Sequence, residues 1–156
     1  MAQIIDGKAV AQKVRDEVKA GVEAFRAAHG RAPGLHVVLV GDDQASAVYV
    51  RNKEKAAEEV GMAGKVYRLP ASTSEAELLK LVGELNESDA VDGILVQFPV
   101  PAQISQTRVI ETILPAKDVD GLHPMSAGSL WAGADGLVSW TPSGCLRLRR
   151  KACVQL

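Results

Sequence analysis

One stretch of the sequence organises the rest of the chain, and it reads Val91-Asp92-Gly93-Ile94-Leu95-Val96-Gln97-Phe98-Pro99-Val100-Pro101. Its apolar centre, with a turn-forming pair before it and prolines after it, predicts a strand buried on both faces of a parallel sheet. Gln97 interrupts the apolar run, and a buried amide without hydrogen-bond partners costs about 1–3 kcal/mol. Ligands of open α/β sheets gather at the carboxyl ends of the strands, so Gln97 is a candidate site residue.

The composition is that of an ordinary globular domain. The chain has 156 residues, of which 47% are hydrophobic and 24% charged, which is enough for one domain with a real core. Eighteen basic and nineteen acidic residues give a net charge of -1, so a nucleic-acid partner is not expected. No apolar stretch approaches the ~18 residues of a membrane span. We therefore expect a cytoplasmic protein that binds neither nucleic acid nor membrane.

Strand and helix patterns alternate along most of the chain. In order, the predicted elements are a helix capped by Asp6 and ending near Gly30, a strand at 35–41, a helix at 42–60, a strand at 65–69 nearer the sheet edge, a helix with a Ser74/Glu77 capping box, the strand quoted above, a helix at 104–114, loops at 115–144 and a helical pattern from Ser143. This order is typical of a parallel sheet with right-handed crossovers. The sequence predicts an α/β fold, namely a three-layer domain with a small, mostly parallel central sheet flanked by helices.

The helix after the first strand holds three polar side chains on one face. Ser46, Tyr49 and Lys53 are spaced by three and four residues, which places them near each other. A solvent-facing amphipathic helix can produce the same pattern. A functional role is favoured by the position of the helix, which begins where a central strand ends. Tyr-x-x-x-Lys is also the catalytic spacing of short-chain dehydrogenases, but the Gly-rich nucleotide loop of those enzymes is missing after the first strand.

A second candidate lies in Lys117-Asp118-Val119-Asp120-Gly121-Leu122-His123-Pro124. Two carboxylates before a glycine are explained most simply as turn caps. A metal site is not expected, because the loop offers too few oxygen ligands. His123 is isolated, which favours a structural hydrogen bond over catalysis. Asp120 could instead accept paired hydrogen bonds from the edge of a flat, amidine-like ring.

Together these segments resemble the bifunctional methylenetetrahydrofolate dehydrogenase/methenyltetrahydrofolate cyclohydrolase family. The matching stretches are Ile4-Ile5-Asp6-Gly7-Lys8, Val40-Gly41 with Ala45-Ser46, Tyr49-Val50-Arg51-Asn52-Lys53-Glu54-Lys55-Ala56, Asp92 to Pro101, Lys117-Asp118-Val119-Asp120-Gly121 and Thr141-Pro142-Ser143-Gly144. The motifs occur in the right order across nearly the whole chain, so the match is far more specific than any one of them.

The resemblance implies a role for each candidate residue. Lys53 is expected to be the catalytic lysine, which moves a proton while water attacks the methenyl carbon. Gln97 is expected to hold and tune Lys53, and Tyr49 to stack against the folate. Asp120 is expected to bind the pterin ring, and Ser46 to be a lining or orienting hydroxyl at most. A lysine that readily loses its proton can serve as a general base, and a carboxylate suits a pterin edge.

The resemblance also implies the reactions and partners of a longer parent enzyme. That enzyme would act on tetrahydrofolate derivatives in one-carbon metabolism and purine biosynthesis, as a cytoplasmic multifunctional oxidoreductase and hydrolase. It would oxidise 5,10-methylenetetrahydrofolate with NADP, and hydrolyse the methenyl product to 10-formyltetrahydrofolate. We expect the full-length parent to be a homodimer.

The chain departs from the family pattern in two respects. The Rossmann-type NADP domain is absent from it, and no phosphate-binding glycine loop occurs, so tight NADP binding by this chain is not expected. We predict a folate-binding catalytic domain at 1–142, and at 143–156 the start of a linker helix toward the missing domain. In addition, Ser139-Trp140 stands where the family usually has Pro-Cys before Thr-Pro.

Two alternatives remain open at this point. The chain could be an inactive folate-binding or oligomerising fragment, which would bind folate analogues without turnover. It could also be the substrate domain of a related small-molecule dehydrogenase, in which loss of Asp120 would leave folate affinity unchanged.

Overall fold

The computed structural model of the chain describes residues 5–152. In chain order the elements are α1 (Gly7–His29), β1 (Gly34–Val40), α2 (Gln44–Glu59), β2 (Ala63–Leu69), α3 (Glu75–Glu87), β3 (Gly93–Gln97), α4 (Gln106–Thr112), a 3-10 turn (Pro115–Lys117), α5 (Pro124–Trp131) and α6 (Trp140–Ala152). Among these helices, none combines the length and the apolar character needed to cross a bilayer.

The strands form a three-stranded parallel sheet in the order β2-β1-β3. β1 is therefore central and β2 lies at an edge, as the sequence predicts. β3 lies at the other edge of the sheet, yet four of its five residues are buried. A parallel bridge between Ile94 and Asp118 covers its outer side. The loop that carries the Asp118-Val119-Asp120 motif is thus joined directly to the strand that ends in Gln97.

The sheet separates two apolar clusters, which gives the predicted three-layer arrangement. Val38, Ile94 and Val96 point toward α3 and α4 and belong to the larger cluster. Val37, Leu39 and Leu95 point to the other face and pack with Val50 of α2. Since neighbouring residues of a strand face opposite sides, the continuous apolar run of β3 supplies both clusters.

The predicted helix caps are present. Asp6 accepts hydrogen bonds from the N–H groups of Lys8 and Ala9 at the start of α1, and Ser74 and Glu77 form a capping box at α3. The valines of α1 are less buried than their spacing suggests. Only Val22 is fully buried among them, whereas Val14 and Val18 are half-buried.

The segment from Pro115 to Gly144 contains more helix than the predicted loops. α5 occupies Pro124–Trp131 within it, and α6 begins at Trp140, three residues before the boundary predicted at 143. The helical pattern was hidden because α5 is only eight residues long, too short for a clear period. The helix predicted at 143–156 is described as far as Ala152, and positions 153–156 lie outside the described residues, as does Ile4 of the first motif.

Candidate functional site

Lys53 of α2 and Gln97 at the end of β3 are in direct contact. The Lys53 ammonium donates to Oε1 of Gln97 over 3.1 Å. The other end of the amide is also engaged, because Nε2 of Gln97 donates to the carbonyl of Phe98 over 2.8 Å. This second bond fixes which way the amide faces, so that an oxygen rather than an NH2 group is presented to Lys53. The buried-strand amide therefore has the partners that its position requires.

Lys53 and Asp120 open into the same cavity, which has a volume of about 650 Å³. Helices α1 and α2, strands β1 and β3, the loop after α4 and the start of α6 contribute to its lining. The lining residues are Val14, Arg15, Val18, Pro33, Gly34, Leu35, Lys53, Ala56, Ala57, Val60, Met62, Asp92, Gly93, Leu95, Val119, Asp120, Trp140 and Thr141. The volume and the few polar groups among apolar walls are typical of a small-molecule site.

Asp120 is half-buried, and its surroundings alter its acidity. Burial raises the pKa of its carboxyl above the ordinary value, and the negative charge of Asp118 acts in the same direction. The positive charge of Lys53 opposes both effects. Asp120 and Lys53 are thus close enough to influence each other electrostatically across the cavity.

The loop that presents Asp120 is anchored by its neighbour Asp118, which is 3% exposed. One carboxylate oxygen of Asp118 accepts from the backbone N–H of His123 over 2.8 Å and from the hydroxyl of Ser126 over 2.9 Å. These bonds tie the loop to the first turn of α5. His123 makes the structural hydrogen bond expected of it, since its Nδ1 accepts from the N–H of Met125 and caps α5.

Tyr49 and Ser46 occupy the same helix face as Lys53 but lie outside the cavity lining. Tyr49 is 63% exposed and lies one turn before Lys53. Ser46 is buried, and its N–H donates to the carboxylate of Asp43 over 2.7 Å in the N-terminal cap of α2. The backbone and side-chain hydrogen bonds from Ser46 lower the pKa of Asp43. Ser46 therefore stabilises the start of the helix that carries Lys53.

The contacts of Asp118 agree with the simpler explanation of its motif, in which the carboxylates cap a turn, although its bond to Ser126 could not be read from the sequence. The place of Trp140 is harder to predict from the sequence. Trp140 lines the cavity and was noted only as a departure from a family pattern. Its position depends on how the segment before α6 packs, which no local pattern reveals.

The chain matches a family model described as "Tetrahydrofolate dehydrogenase/cyclohydrolase, catalytic domain" over residues 5–120. A similar curated protein is the bifunctional protein FolD of Sorangium cellulosum, with 58% identity over 156 residues, covering 99% of this chain and 54% of that protein. The bifunctional protein FolD 3 of Rhizorhabdus wittichii is 58% identical over 147 residues, which cover 94% of this chain and 48% of that protein.

Solved structures show the same fold. The FolD methylenetetrahydrofolate dehydrogenase/cyclohydrolase of Campylobacter jejuni superposes with a TM-score of 0.90 at 41% identity, covering 96% of this chain and 53% of that one. The Trypanosoma brucei N5,N10-methylenetetrahydrofolate dehydrogenase-cyclohydrolase, solved with NADP cofactor and inhibitor, has a TM-score of 0.90 at 35% identity, covering 96% and 52%. The chain thus spans about half the length of the relatives it matches.

Proposed function

The chain belongs to the tetrahydrofolate dehydrogenase/cyclohydrolase family, and we propose that it is the folate-binding catalytic part of a bifunctional enzyme of one-carbon metabolism. The longer protein oxidises 5,10-methylenetetrahydrofolate to the methenyl form and hydrolyses the latter to 10-formyltetrahydrofolate. The observation that carries this proposal is the contact of Lys53 with Gln97, beside a cavity that Asp120 also lines.

Lys53 is the residue that moves the proton in the hydrolytic step. The methenyl carbon is already cationic and electrophilic, so the enzyme needs chiefly to position water and to accept its proton. An unprotonated Lys53 amine takes a proton from the attacking water as the new C–O bond forms. Cleavage of a C–N bond then leaves the formyl group on one nitrogen. The protonated amine returns its proton to the nitrogen that is released, and the remaining hydroxyl proton passes to solvent as the formyl C=O forms.

Gln97 orients the Lys53 amine without placing a negative charge beside it. Its oxygen accepts a hydrogen bond from Nζ whether Lys53 is charged or neutral, whereas a carboxylate at that position would favour the charged ammonium. The bond from Nε2 to the Phe98 carbonyl keeps the oxygen turned toward Lys53. Gln97 is in this sense a positioning residue.

Asp120 binds the pterin ring through its 2-amino and ring N–H groups, because a carboxylate accepts two parallel hydrogen bonds from such an edge. Tyr49 stacks against the part of the folate that leaves the cavity, and its exposed ring is consistent with that task. Ser46 acts at a distance, through the cap that fixes α2. Burial of Asp120 also means that the ligand meets a partly desolvated acceptor.

The described residues do not fit the phosphates of NADP. The turn after β1 is the usual phosphate position in dinucleotide folds, and here it carries Asp42 and Asp43. The Asp43 carboxylate already caps the N-terminus of α2, so a phosphate would meet like charge. NADP is therefore assigned to the remaining part of the longer protein, which we propose to be a cytoplasmic homodimer.

The decisive experiment follows loss of methenyltetrahydrofolate absorbance in the presence of the 156-residue chain. We expect a rate above the uncatalysed hydrolysis, lowered by about 10²–10⁴ in Lys53→Ala, which is the usual contribution of a general acid or base. Lys55→Ala is the matched control, because Lys55 lies on the same helix and is exposed, with a weak pair to Glu59 at 3.9 Å. Folate-analogue binding without any excess rate would favour an inert folate-binding module instead.

A further inference from the structure

We propose that Trp140 is a ligand-binding residue of the same cavity, whose indole ring stacks on the flat pyrimidine half of the ring system that Asp120 binds. The inference rests on the proposed function, since it concerns the ligand of the same site. It goes beyond it because the family resemblance assigns no role to this position and because a tryptophan stands there in place of the usual cysteine.

The indole of Trp140 is held against the loop that presents Asp120. Its Nε1–H donates to the carbonyl oxygen of Val119, the residue directly before Asp120. Trp140 lines the cavity together with Val119, Asp120 and Lys53, and its side chain is 63% exposed. One edge of the ring is thus fixed by a hydrogen bond while much of the ring surface remains free to contact a ligand.

The backbone around Gly121 explains how Trp140 reaches this position. Gly121 has a φ of 63°, and a Cβ there would lie 2.7 Å from the backbone nitrogen of Ser139 and 2.8 Å from the carbonyl carbon of Val138. Such distances are too short for a side chain, so only glycine permits the approach of this segment. The chain therefore passes over the Asp120 loop immediately before α6 begins, and delivers Trp140 to the rim of the cavity.

Helix α6 also contacts α1. Arg147 of α6 donates to the Glu17 carboxylate of α1 over 3.1 Å, in an exposed ion pair that adds only weakly to the position of α6. An aromatic ring beside a carboxylate gives two complementary contacts to a ligand with a flat pyrimidine ring. The carboxylate binds the polar edge, and the ring covers one face by offset stacking.

Tryptophan fluorescence tests the contact directly, because the chain has only two tryptophans. In the Trp131→Phe variant all tryptophan emission comes from Trp140, and Trp131 is 94% exposed and lies outside the cavity lining. We expect 5-formyltetrahydrofolate to change this emission saturably, and p-aminobenzoylglutamate, which lacks the pterin ring, to leave it unchanged. Emission that stays constant while calorimetry records saturation by 5-formyltetrahydrofolate would overturn the inference.

Affinity measurements separate stacking from a purely structural role. Trp140→Ala is expected to weaken 5-formyltetrahydrofolate binding by about twofold to tenfold, the range of an aromatic pair. Trp140→Phe keeps a ring but loses the N–H, and it is expected to bind within about twofold of the unmodified chain. Trp131→Ala is the matched control. Equal weakening by Phe and Ala would show that the hydrogen bond to Val119 matters rather than the ring, and would contradict the proposal.

The failure of this inference can be told apart from failure of the proposed function. If Asp120→Asn abolishes the binding of 5-formyltetrahydrofolate while Trp140→Ala leaves the affinity unchanged, only the role of Trp140 is overturned. No detectable binding of 5-formyltetrahydrofolate by the folded chain would overturn both.

Discussion

Gln97 is the residue at which local sequence and long-range structure agree most closely. An amide at the end of an apolar strand predicts a polar partner, and the structure supplies Lys53 from a helix 44 residues away in sequence. The identity of that partner could be anticipated from the family resemblance. The second bond, to the carbonyl of Phe98, could not, because it depends on the side-chain rotamer.

The neutrality of Gln97 gives the first prediction. In Gln97→Glu a carboxylate would replace the neutral acceptor that Lys53 contacts, and an opposite charge nearby favours the charged form of an amine over the form that accepts a proton. We expect methenyltetrahydrofolate hydrolysis to fall by about tenfold or more. Gln106→Glu is the control, because Gln106 is exposed at the first residue of α4, where a carboxylate is well tolerated. A rate equal to that of the unmodified chain would remove Gln97 from the proposed mechanism.

Asp120 gives the second prediction, on stability. Its pKa is raised chiefly by burial, so the ionised carboxyl destabilises the folded chain at neutral pH. This destabilisation develops as pH rises from the ordinary carboxyl range through the raised pKa, and it is absent at lower pH, where the group is protonated in both states. Asp120→Asn is therefore expected to be more stable than the unmodified chain at pH 7, with a difference that shrinks on acidification. Urea denaturation at several pH values measures it, with the exposed Asp135→Asn as control; a less stable Asp120→Asn at pH 7 would contradict this reading.

Among the elements, the helices and strands up to α4 follow closely from local patterns. Caps at Asp6 and Ser74, the β-branched run of β1 and the apolar run of β3 each have a local signature. The edge position of β3 could not be predicted from the sequence, because a continuous apolar run is typical of central strands. The bridge to Asp118 and the two flanking clusters bury this edge strand. α5 was not predicted, since its eight residues are too few for a clear helical period and its start depends on the cap by His123 and on the contacts of Asp118.

A further element-scale prediction concerns the two turns that enter β1 and β3. Asp92 accepts from both terminal nitrogens of Arg31, at 2.6 and 2.8 Å, and from the N–H of Gly34 at 2.7 Å. Both side chains are about one-third exposed, which weakens the ion pair. We expect Asp92→Ala to lower the free energy of unfolding by about 1–2 kcal/mol, mainly through the lost charge-assisted bonds.

The pH dependence of this contribution has a defined sign. The hydrogen bond from Arg31 is the main cause that lowers the pKa of Asp92. The stabilisation is therefore present above the ordinary carboxyl pKa and is lost as pH falls through the lowered value. Glu84→Ala is the control, because Glu84 is exposed and lies 3.9 Å from Lys80, so its effect is expected to stay below about 0.5 kcal/mol. If both substitutions lower the free energy of unfolding equally in urea denaturation, the Arg31–Asp92 pair contributes no more than the exposed Lys80–Glu84 pair, which would contradict this prediction.

At the scale of the whole molecule, the cavity is a product of the fold rather than of any motif. Its lining residues come from α1, β1, α2, β3, the loop after α4 and the start of α6, so segments far apart in the sequence contribute to one site. Sequence motifs identified Lys53, Gln97 and Asp120 as candidates. Lys53 and Asp120 line the cavity and Gln97 contacts Lys53 from outside the lining, an arrangement that depends on the parallel sheet and on the bridge from β3 to the Asp118 loop. The valines of α1 illustrate the limit of pattern reading, because their helical stripe indicated burial and two of them line an open cavity instead.

The measurement that tests this account most directly is the calorimetric affinity of the chain for 5-formyltetrahydrofolate, compared with Asp120→Asn and the exposed control Asp135→Asn. If Asp120 accepts the pterin edge, Asp120→Asn will weaken binding by about tenfold or more, as expected for lost charge-assisted hydrogen bonds, while Asp135→Asn will bind like the unmodified chain. Unchanged affinity in Asp120→Asn would contradict the assignment of this cavity to a folate.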